Sequence, residues 1–369
     1  MPATIPFLDL RVSDAATRQR LLAAVERVLL HGRMILGPEV TELEEKMAGF
    51  LGRRFALSVG SGSAALFLAL RALGLGPGDE VITTSLSWIA TANAIAMTGA
   101  TPVFADIRDD LNIDPDSVAR LITPRTRAIL PVHYTGKIAP MEALQALAAR
   151  NDLLLVEDAA QAFGAKQKGR PAGSFGILSC FSMNSMKVFA SCGEAGLITT
   201  DGDSLHEKLL ALRYNGTVNR ETCLLPGLND RMDTLQAAIL LERFKDLPEL
   251  LERRRTIAAR YRERLRGVVG LPEESPGCQD AWYTFTVRAE RRDALQAFLS
   301  QTGIETKIQH PILMPHQPAY RQAPRDRLSN AERLVEHILC LPAHEKMSPD
   351  QVDAVAERIV RFYDRESAS

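Results

Sequence analysis

Four stretches of this chain hold reactive side chains in patterns that chemistry could use. Lys187 closes Phe181-Ser182-Met183-Asn184-Ser185-Met186-Lys187. Few charges lie near it in sequence, so its amine should lose a proton more easily than a solvated lysine, as attack on a carbonyl requires. The plainer alternative is a lysine that lays its stem on apolar surface and keeps its ammonium in water. Asp158 ends the run Leu153-Leu154-Leu155-Val156-Glu157. A carboxylate at the carboxyl end of a buried parallel strand points into the ligand crevice of an α/β sheet. Burying it unpaired is costly, so a cationic partner is expected: an arginine, or the protonated ring nitrogen of a cofactor. A cap for a helix starting Ala159-Ala160-Gln161 is the competing role.

Gly60-Ser61-Gly62-Ser63-Ala64-Ala65 lies between an apolar run and a helical pattern. Free N–H groups at a helix start, with serine hydroxyls beside them, suit a phosphate, and Ser182 could join Gly62 and Ser63 there. The same hexad satisfies G-x-G-x-x-A, a dinucleotide fingerprint. That fingerprint needs an acidic residue at the end of the next strand, but Val81-Ile82-Thr83-Thr84 runs into Ser85, which weakens a dehydrogenase reading. Trp88 follows on the same edge, where an indole could stack on a flat ring or simply fill core.

The elements that must position these residues alternate. Apolar spacing predicts helices over 14–31 and, from Pro38, through Phe50. Short strands follow at Phe55–Val59, Glu80–Thr84, Thr101–Ala105, Arg127–Pro131, Asp152–Glu157, Ile177–Phe181 and Leu197–Thr200. Helices at 64–73, 88–98, 115–122 and 139–150 separate the first five. Parallel strands joined by crossover helices make a three-layer α/β/α domain with a mixed, mostly parallel sheet. Beyond Asp201 the pattern predicts helices at 203–213, 230–243 and 247–267. Strands at Tyr283–Val287 and Glu305–Ile308 follow, with helices at 291–301, 329–338 and 349–363, a small α+β domain. The expected division is 1–250 for the large domain and 251–369 for the small one.

Composition narrows the function. Among 369 residues, 46% are hydrophobic and 24% charged, so the chain can bury a large core. Lysine and arginine number 44 against 45 acidic residues, which argues against nucleic acid as a partner. No run of about 18 apolar residues exists to span a membrane. The first residues lack a basic and apolar leader, so a cytoplasmic location is expected. Five dispersed cysteines without C-x-x-C, and seven histidines without H-E-x-x-H, argue against a metal.

The order of these motifs resembles the DegT/DnrJ/EryC1/StrS sugar aminotransferases, fold-type I pyridoxal-phosphate enzymes. The likeness covers nearly the whole chain: Gly32–Glu39 (GRMILGPE), Ser61–Leu70 (SGSAALFLAL), Gly76–Ile82 (GPGDEVI), Gly99–Asp106 (GATPVFAD), Thr123–His133 (TPRTRAILPVH), Val156–Ala165 (VEDAAQAFGA), Lys187 with the following GEAG, Asn229–Ala238 (NDRMDTLQAA) and Gln317-Pro318-Ala319-Tyr320. The resemblance implies pyridoxal 5′-phosphate as cofactor, held covalently by Lys187, which would also shuttle the proton. It implies that Asp158 pairs with the ring nitrogen, Gln161 bonds the phenolic oxygen, Trp88 stacks, and Gly62, Ser63 and Ser182 hold the phosphate. Asn229 and Arg231 would reach the site of a second copy in a homodimer with shared active sites. Asn184 and Arg231 would face substrate. His310 and Tyr320, with their loop, are expected either to contribute to acceptor binding or to serve a purely structural role. The implied reaction is ping-pong transfer from L-glutamate, released as 2-oxoglutarate, to a keto sugar, nucleotide-linked. A free ketose or keto-cyclitol, and a regulatory protein that binds the cofactor without turnover, are the alternatives.

Three segments depart from the family pattern. Ala195 replaces a glycine of G-E-G-G; Ser182-Met183-Asn184-Ser185-Met186-Lys187 stands for S-F-H-P-T-K; and Gly227-Leu228-Asn229-Asp230-Arg231 stands for G-Y-N-Y-R. The last two lie on the substrate side, which leaves the sugar open.

Overall fold

The apolar runs become strands of one sheet in the computed structural model, which describes residues 4–219 and 221–367. Its strands are β1 (Phe55–Val59), β2 (Glu80–Thr84), β3 (Thr101–Ala105), β4 (Thr126–Leu130), β5 (Leu154–Asp158), β6 (Leu178–Ser182) and β7 (Gly196–Thr200). They lie in the order β1-β7-β6-β5-β4-β2-β3. β7 runs antiparallel to both its neighbours, and every other pairing is parallel. The mixed, mostly parallel sheet read from the sequence is borne out.

Helices α1 (Ala15–His31) and α2 (Pro38–Leu51) precede β1. Asp14 accepts the Thr17 N–H at 2.6 Å to start α1, and Gly32, at φ 71°, ends it in a conformation that costs glycine little. The crossovers between β1 and β5 carry α3 (Gly62–Ala72), α4 (Ala90–Met97), α5 (Pro115–Leu121) and α6 (Met141–Arg150); α7 (Asp203–Arg213) follows β7.

Successive side chains of a strand face opposite layers, and this parity decides what reaches the site. Val156, Leu178 and Cys180 share a cluster with Leu66 and Ala69 of α3 and Ile95 of α4. Leu155 and Phe181 point the other way, into the cluster of Leu43, Met47 and Leu144. Asp158 therefore falls on the α3–α4 side, two residues beyond Val156, and Ser182 joins it there, two beyond Cys180. Glu157 must face the opposite layer.

There Glu157 is fully buried and satisfied by five donors. It accepts the N–H groups of Gly173 (2.8 Å), Phe175 (2.7 Å) and Gly176 (2.6 Å), and the Ser179 hydroxyl (2.8 Å). The His133 Nε2 bonds it at 2.9 Å. Because Ala139 N–H donates to Nδ1 of His133, the ring proton sits on Nε2 and points at the carboxylate. Burial, the largest influence, pushes the Glu157 carboxyl up, but these bonds outweigh it and hold it below its ordinary value.

Beyond the sheet, α8 (Thr234–Arg264) is one helix where the sequence suggested two, and residue 250 lies inside it. Pro248 has no N–H to give the carbonyl one turn back, a loss of roughly 3 kcal/mol in a free helix. Leu247 and Leu251 flank it and are buried in the large core, which keeps the helix running. The far end of α8 places Ile257 and Tyr261 in a second cluster, with Phe285, Leu339 and Ile359.

That cluster covers a two-stranded sheet, β8 (Phe285–Arg288) antiparallel to β9 (Ile338–Leu341), with α9 (Arg292–Gln301), α10 (Ser329–Val335) and α11 (Pro349–Ser367). Strand β9 was not foreseen, because its unbroken apolar run reads equally as a helix end. Glu305–Ile308 is not a strand: the β-pairing here is confined to isolated bridges, Lys307 to Cys340 and, just before the stretch, Ile304 to Ile5. Among the described residues no helix is long and apolar enough to cross a membrane.

Glu157→Gln exchanges one charged acceptor for an amide whose own N–H groups face other donors. Its expected cost is about 3 kcal/mol or more, read by urea denaturation of cofactor-free protein. Unchanged stability would show that the loop 173–179 does not depend on this carboxylate.

Candidate active site

The carboxyl ends of β5 and β6 and the start of α3 converge on one place. The first N–H groups of a helix have no acceptor within it. Ser61 caps α3 by accepting the Ala64 N–H at 3.1 Å, which leaves those of Gly62 and Ser63 for an anion. Gly62 is required by contact: a β-carbon there would stand 2.6 Å from the Ser182 Cβ. Gly196, the last glycine of GEAG, is required likewise, since its β-carbon would lie 2.3 Å from the Ser61 carbonyl oxygen. Ala195 before it is buried in the large core, so the departure at that position is accommodated.

Asp158 lies beside this cradle, 3% exposed. Its Oδ2 accepts the Thr91 hydroxyl at 2.8 Å and its Oδ1 accepts the Ala160 N–H at 3.2 Å. No ion pair includes it among the described residues, so the arginine considered from the sequence is not its partner. Burial raises its carboxyl above the usual range; the Thr91 and Ala160 bonds and the Lys187 charge only partly oppose this. A buried carboxylate so placed suits a cationic ring nitrogen.

Gln161 is oriented by its neighbour. Its Oε1 accepts the Thr135 N–H at 2.9 Å, so Nε2 is the end left to donate. Thr135 holds that position at φ 61°, an unusual conformation for a β-branched residue. Lys187 is half-buried, with Nζ 4.6 Å from the centre of the Tyr283 ring and no carboxylate ion pair among the described residues. Trp88 is 62% exposed, which rules out the core role considered for it. Its indole lies 5.9 Å from the His310 ring. His310 in turn shares a 2.9 Å hydrogen bond with the Tyr134 hydroxyl. Burial, then the Lys187 and Lys307 charges, hold the His310 imidazole down to about 3.

Other expected residues lie apart. Asn229 accepts from Arg231 at 3.0 and 2.7 Å, and the Arg231 guanidinium stacks 4.3 Å from the Tyr214 ring centre. Both are engaged with each other at the surface, and no bond among the described residues ties them to Lys187 or Asp158. Asn184 donates to Glu194. Tyr320 donates to the Asn93 side chain at 2.6 Å and packs on Phe104, under α4. Sequence reasoning missed Thr91, Tyr134, Thr135 and Tyr283. Thr91 alone left a trace, as a hydroxyl one turn past Trp88 on the same sheet edge.

The residues present fit pyridoxal phosphate on three counts: an anion cradle that a methyl group would fill, a buried carboxylate without a cation, and a glutamine with its donor end free. A sequence profile of the DegT/DnrJ/EryC1/StrS aminotransferase family matches residues 15–360. The chain belongs to that family. This DegT-family chain is 41% identical over 362 residues to the dTDP-3-amino-3,4,6-trideoxy-alpha-D-glucose transaminase of Streptomyces venezuelae, covering 96% of each. It is 38% identical over 366 residues to a pleiotropic regulatory protein of Geobacillus stearothermophilus, covering 97% of this chain and 98% of the other. Its fold matches the solved structure of NtdA from Bacillus subtilis with bound cofactor PMP, at TM-score 0.92 and 32% identity, over 98% of this chain and 85% of that one. It is thus an aminotransferase of the pyridoxal-phosphate fold-type I class, as the resemblance implied.

Two outcomes follow from this geometry. Gly62→Ala forces α3 away from Ser182 and should weaken pyridoxal-phosphate binding about tenfold or more, measured by equilibrium dialysis. Binding as tight as the parent's would mean that the cradle is not formed by this contact. The second concerns pH. His310 has a folded-state value far below its ordinary 6.5, so the unfolded chain binds the extra proton. Stability complete above pH 6.5 is then lost as pH falls toward the folded value. Between about pH 6 and 4, cofactor-free wild type should lose up to about 1.4 kcal/mol per pH unit more than His310→Asn. Parallel profiles for the two proteins would place a charged histidine in the fold.

Proposed function

We propose that this enzyme moves an amino group from L-glutamate to the ketone of a nucleotide-linked sugar, in two half-reactions of a ping-pong cycle. The observation that carries the reading is the convergence of Asp158, Gln161 and Lys187 beside the α3 cradle, on a chain of aminotransferase lineage. The Streptomyces venezuelae relative, named as a transaminase of a dTDP-linked amino sugar, supports the acceptor class.

Each residue has a task in this reading. The N–H groups of Gly62 and Ser63, with the Ser63 and Ser182 hydroxyls, hold the phosphate. Trp88 lies against the ring face, and the Gln161 Nε2 donates to the phenolic oxygen. Asp158 keeps a proton on the ring nitrogen. Bound pyridoxal phosphate supplies an electron sink for the electrons left when a C–H proton is removed. The Lys187 Nζ, freed as an amine, takes the proton from the α-carbon of the donor and later returns one to the carbon that carried the ketone. The Tyr283 ring beneath Nζ stabilises its protonated form between these transfers. His310 and Asn184 face substrate at the mouth, and Tyr320 supports α4 behind it.

We further propose that two copies associate, with Asn229 and Arg231 of each completing the other's site. Exposed Leu36, Leu210 and Leu224 near the same segment support an apolar contact there. A second reading, a regulator that binds the cofactor without turnover, draws support from the name of the Geobacillus relative. Lys187, Asp158 and Gln161 together oppose it, because binding alone requires no proton shuttle.

Absorbance spectra decide between them. Protein loaded with pyridoxal phosphate should show a visible band that L-glutamate bleaches and 2-oxoglutarate restores. Lys187→Ala should retain cofactor without covalent attachment and lose at least roughly 10²- to 10⁴-fold in rate. A band indifferent to glutamate, with other amino donors equally silent, would favour the regulator.

A further inference from the structure

We propose that Thr91 is a positioning residue for the aminotransferase reaction: its hydroxyl aims the Asp158 side chain and holds it as a carboxylate ready for the ring nitrogen. The proposal rests on the assignment of Asp158 to that nitrogen and extends it to a residue of α4.

Three observations support it. Thr91 is 1% exposed and Asp158 3%, and the hydroxyl–carboxylate bond between them is 2.8 Å long. A hydroxyl has one proton, so the Thr91 proton goes to Oδ2 of Asp158, and Ser87 Oγ, 3.4 Å from Thr91 Oγ1, is left to donate to that oxygen. The Thr91 N–H also donates to the Trp88 carbonyl at 3.2 Å, so one turn of chain places both the ring-stacking indole and the carboxylate's donor. With Ala160 N–H on the other oxygen, the carboxylate plane is fixed from both sides.

The charged and titratable groups around Asp158 come from each neighbouring element: Lys187 beyond β6, His133 beyond β4, Cys180 on β6 and Glu157 on the opposite face of β5. Burial opposes the charged form of Asp158; the Thr91 bond is the largest influence that favours it, ahead of the Ala160 bond and the Lys187 charge. Without that bond, Asp158 takes up a proton at higher pH. The resulting acid can no longer pair with a protonated ring nitrogen.

The test uses pyridoxamine 5′-phosphate as probe, because it binds without a covalent link to Lys187 and so reports the ring contacts directly. Thr91→Val keeps the shape and removes the donor. Its Kd for the probe, from equilibrium dialysis, is expected to rise about ten- to a hundredfold, with the loss growing as pH falls from about 8 to 6. Thr91→Ser keeps a donor and should recover most of the affinity and the parental pH profile. A threonine with only a packing role would alter thermal stability but leave the pH dependence of binding unmoved, and that result overturns the proposal. If Thr91→Val does not fold, Thr91→Cys, a weaker donor of similar size, should show the same pH trend at smaller amplitude, and a parental profile there overturns it equally. Asp158→Ala separates the two levels of argument. If it binds the probe as wild type does, the ring-nitrogen assignment itself fails. If it binds weakly while Thr91→Val binds normally, only the role of Thr91 fails.

Discussion

Two adjacent carboxylates end the central strand β5, and the rest of the molecule is arranged around the need to compensate them. Strand parity sends Glu157 to one layer and Asp158 to the other. Glu157 receives five donors from its own chain, which fastens the loop 173–179 and His133 beneath the sheet. Among the described residues Asp158 receives only two, a hydroxyl and a backbone N–H, and no cation. A fold could neutralise both; this one completes the first and gives the second fewer donors, which is where the proposed function places a ring nitrogen. Neither burial nor sequence alone distinguishes the two carboxylates.

The C-terminal residues reach the site through two crossed segments. Gly136 passes so close to the 281–284 stretch that a β-carbon would lie 2.7 Å from the Tyr283 nitrogen, and its carbonyl accepts the Ala281 N–H at 2.8 Å. Thr135 and Trp282 take left-handed conformations on either side of this crossing, at φ 61° and 50°. Such backbone persists only where surrounding contacts enforce it. Here the contacts have a visible consequence: Thr135 fixes Gln161 from one strand of the crossing, and Tyr283 lies beneath Lys187 from the other. Continuity of α8 across both apolar clusters keeps the two parts in register.

Much of this was legible in the sequence. Short apolar runs between helical patterns placed each strand of the large sheet to within a few residues, and the order of Gly62, Asp158 and Lys187 carried the proposed chemistry. What was not legible arises from neighbours in space. β5 and α4 are separated by dozens of residues, so no spacing announces the bond from Thr91 to Asp158. Likewise nothing local tells a reader that Gln161 is oriented by Thr135. α8 was read as two helices because helix patterning is a local quantity, whereas the burial of Leu247 and Leu251 in the large core is not.

The departures from the family pattern fall unevenly across the site, and their distribution carries information. On the side proposed to hold the phosphate, Gly62 lies so close to Ser182, and Gly196 to Ser61, that a β-carbon at either meets atoms at once. On the side proposed to meet substrate, Asn184 turns to Glu194, and Asp230, where the pattern has tyrosine, leaves Oδ2 buried without a hydrogen-bond partner among the described residues while burial raises its carboxyl. In the proposed function the chemistry that needs fixed distances lies on the tightly packed face, and the departures from the family pattern lie on the face proposed to meet the sugar.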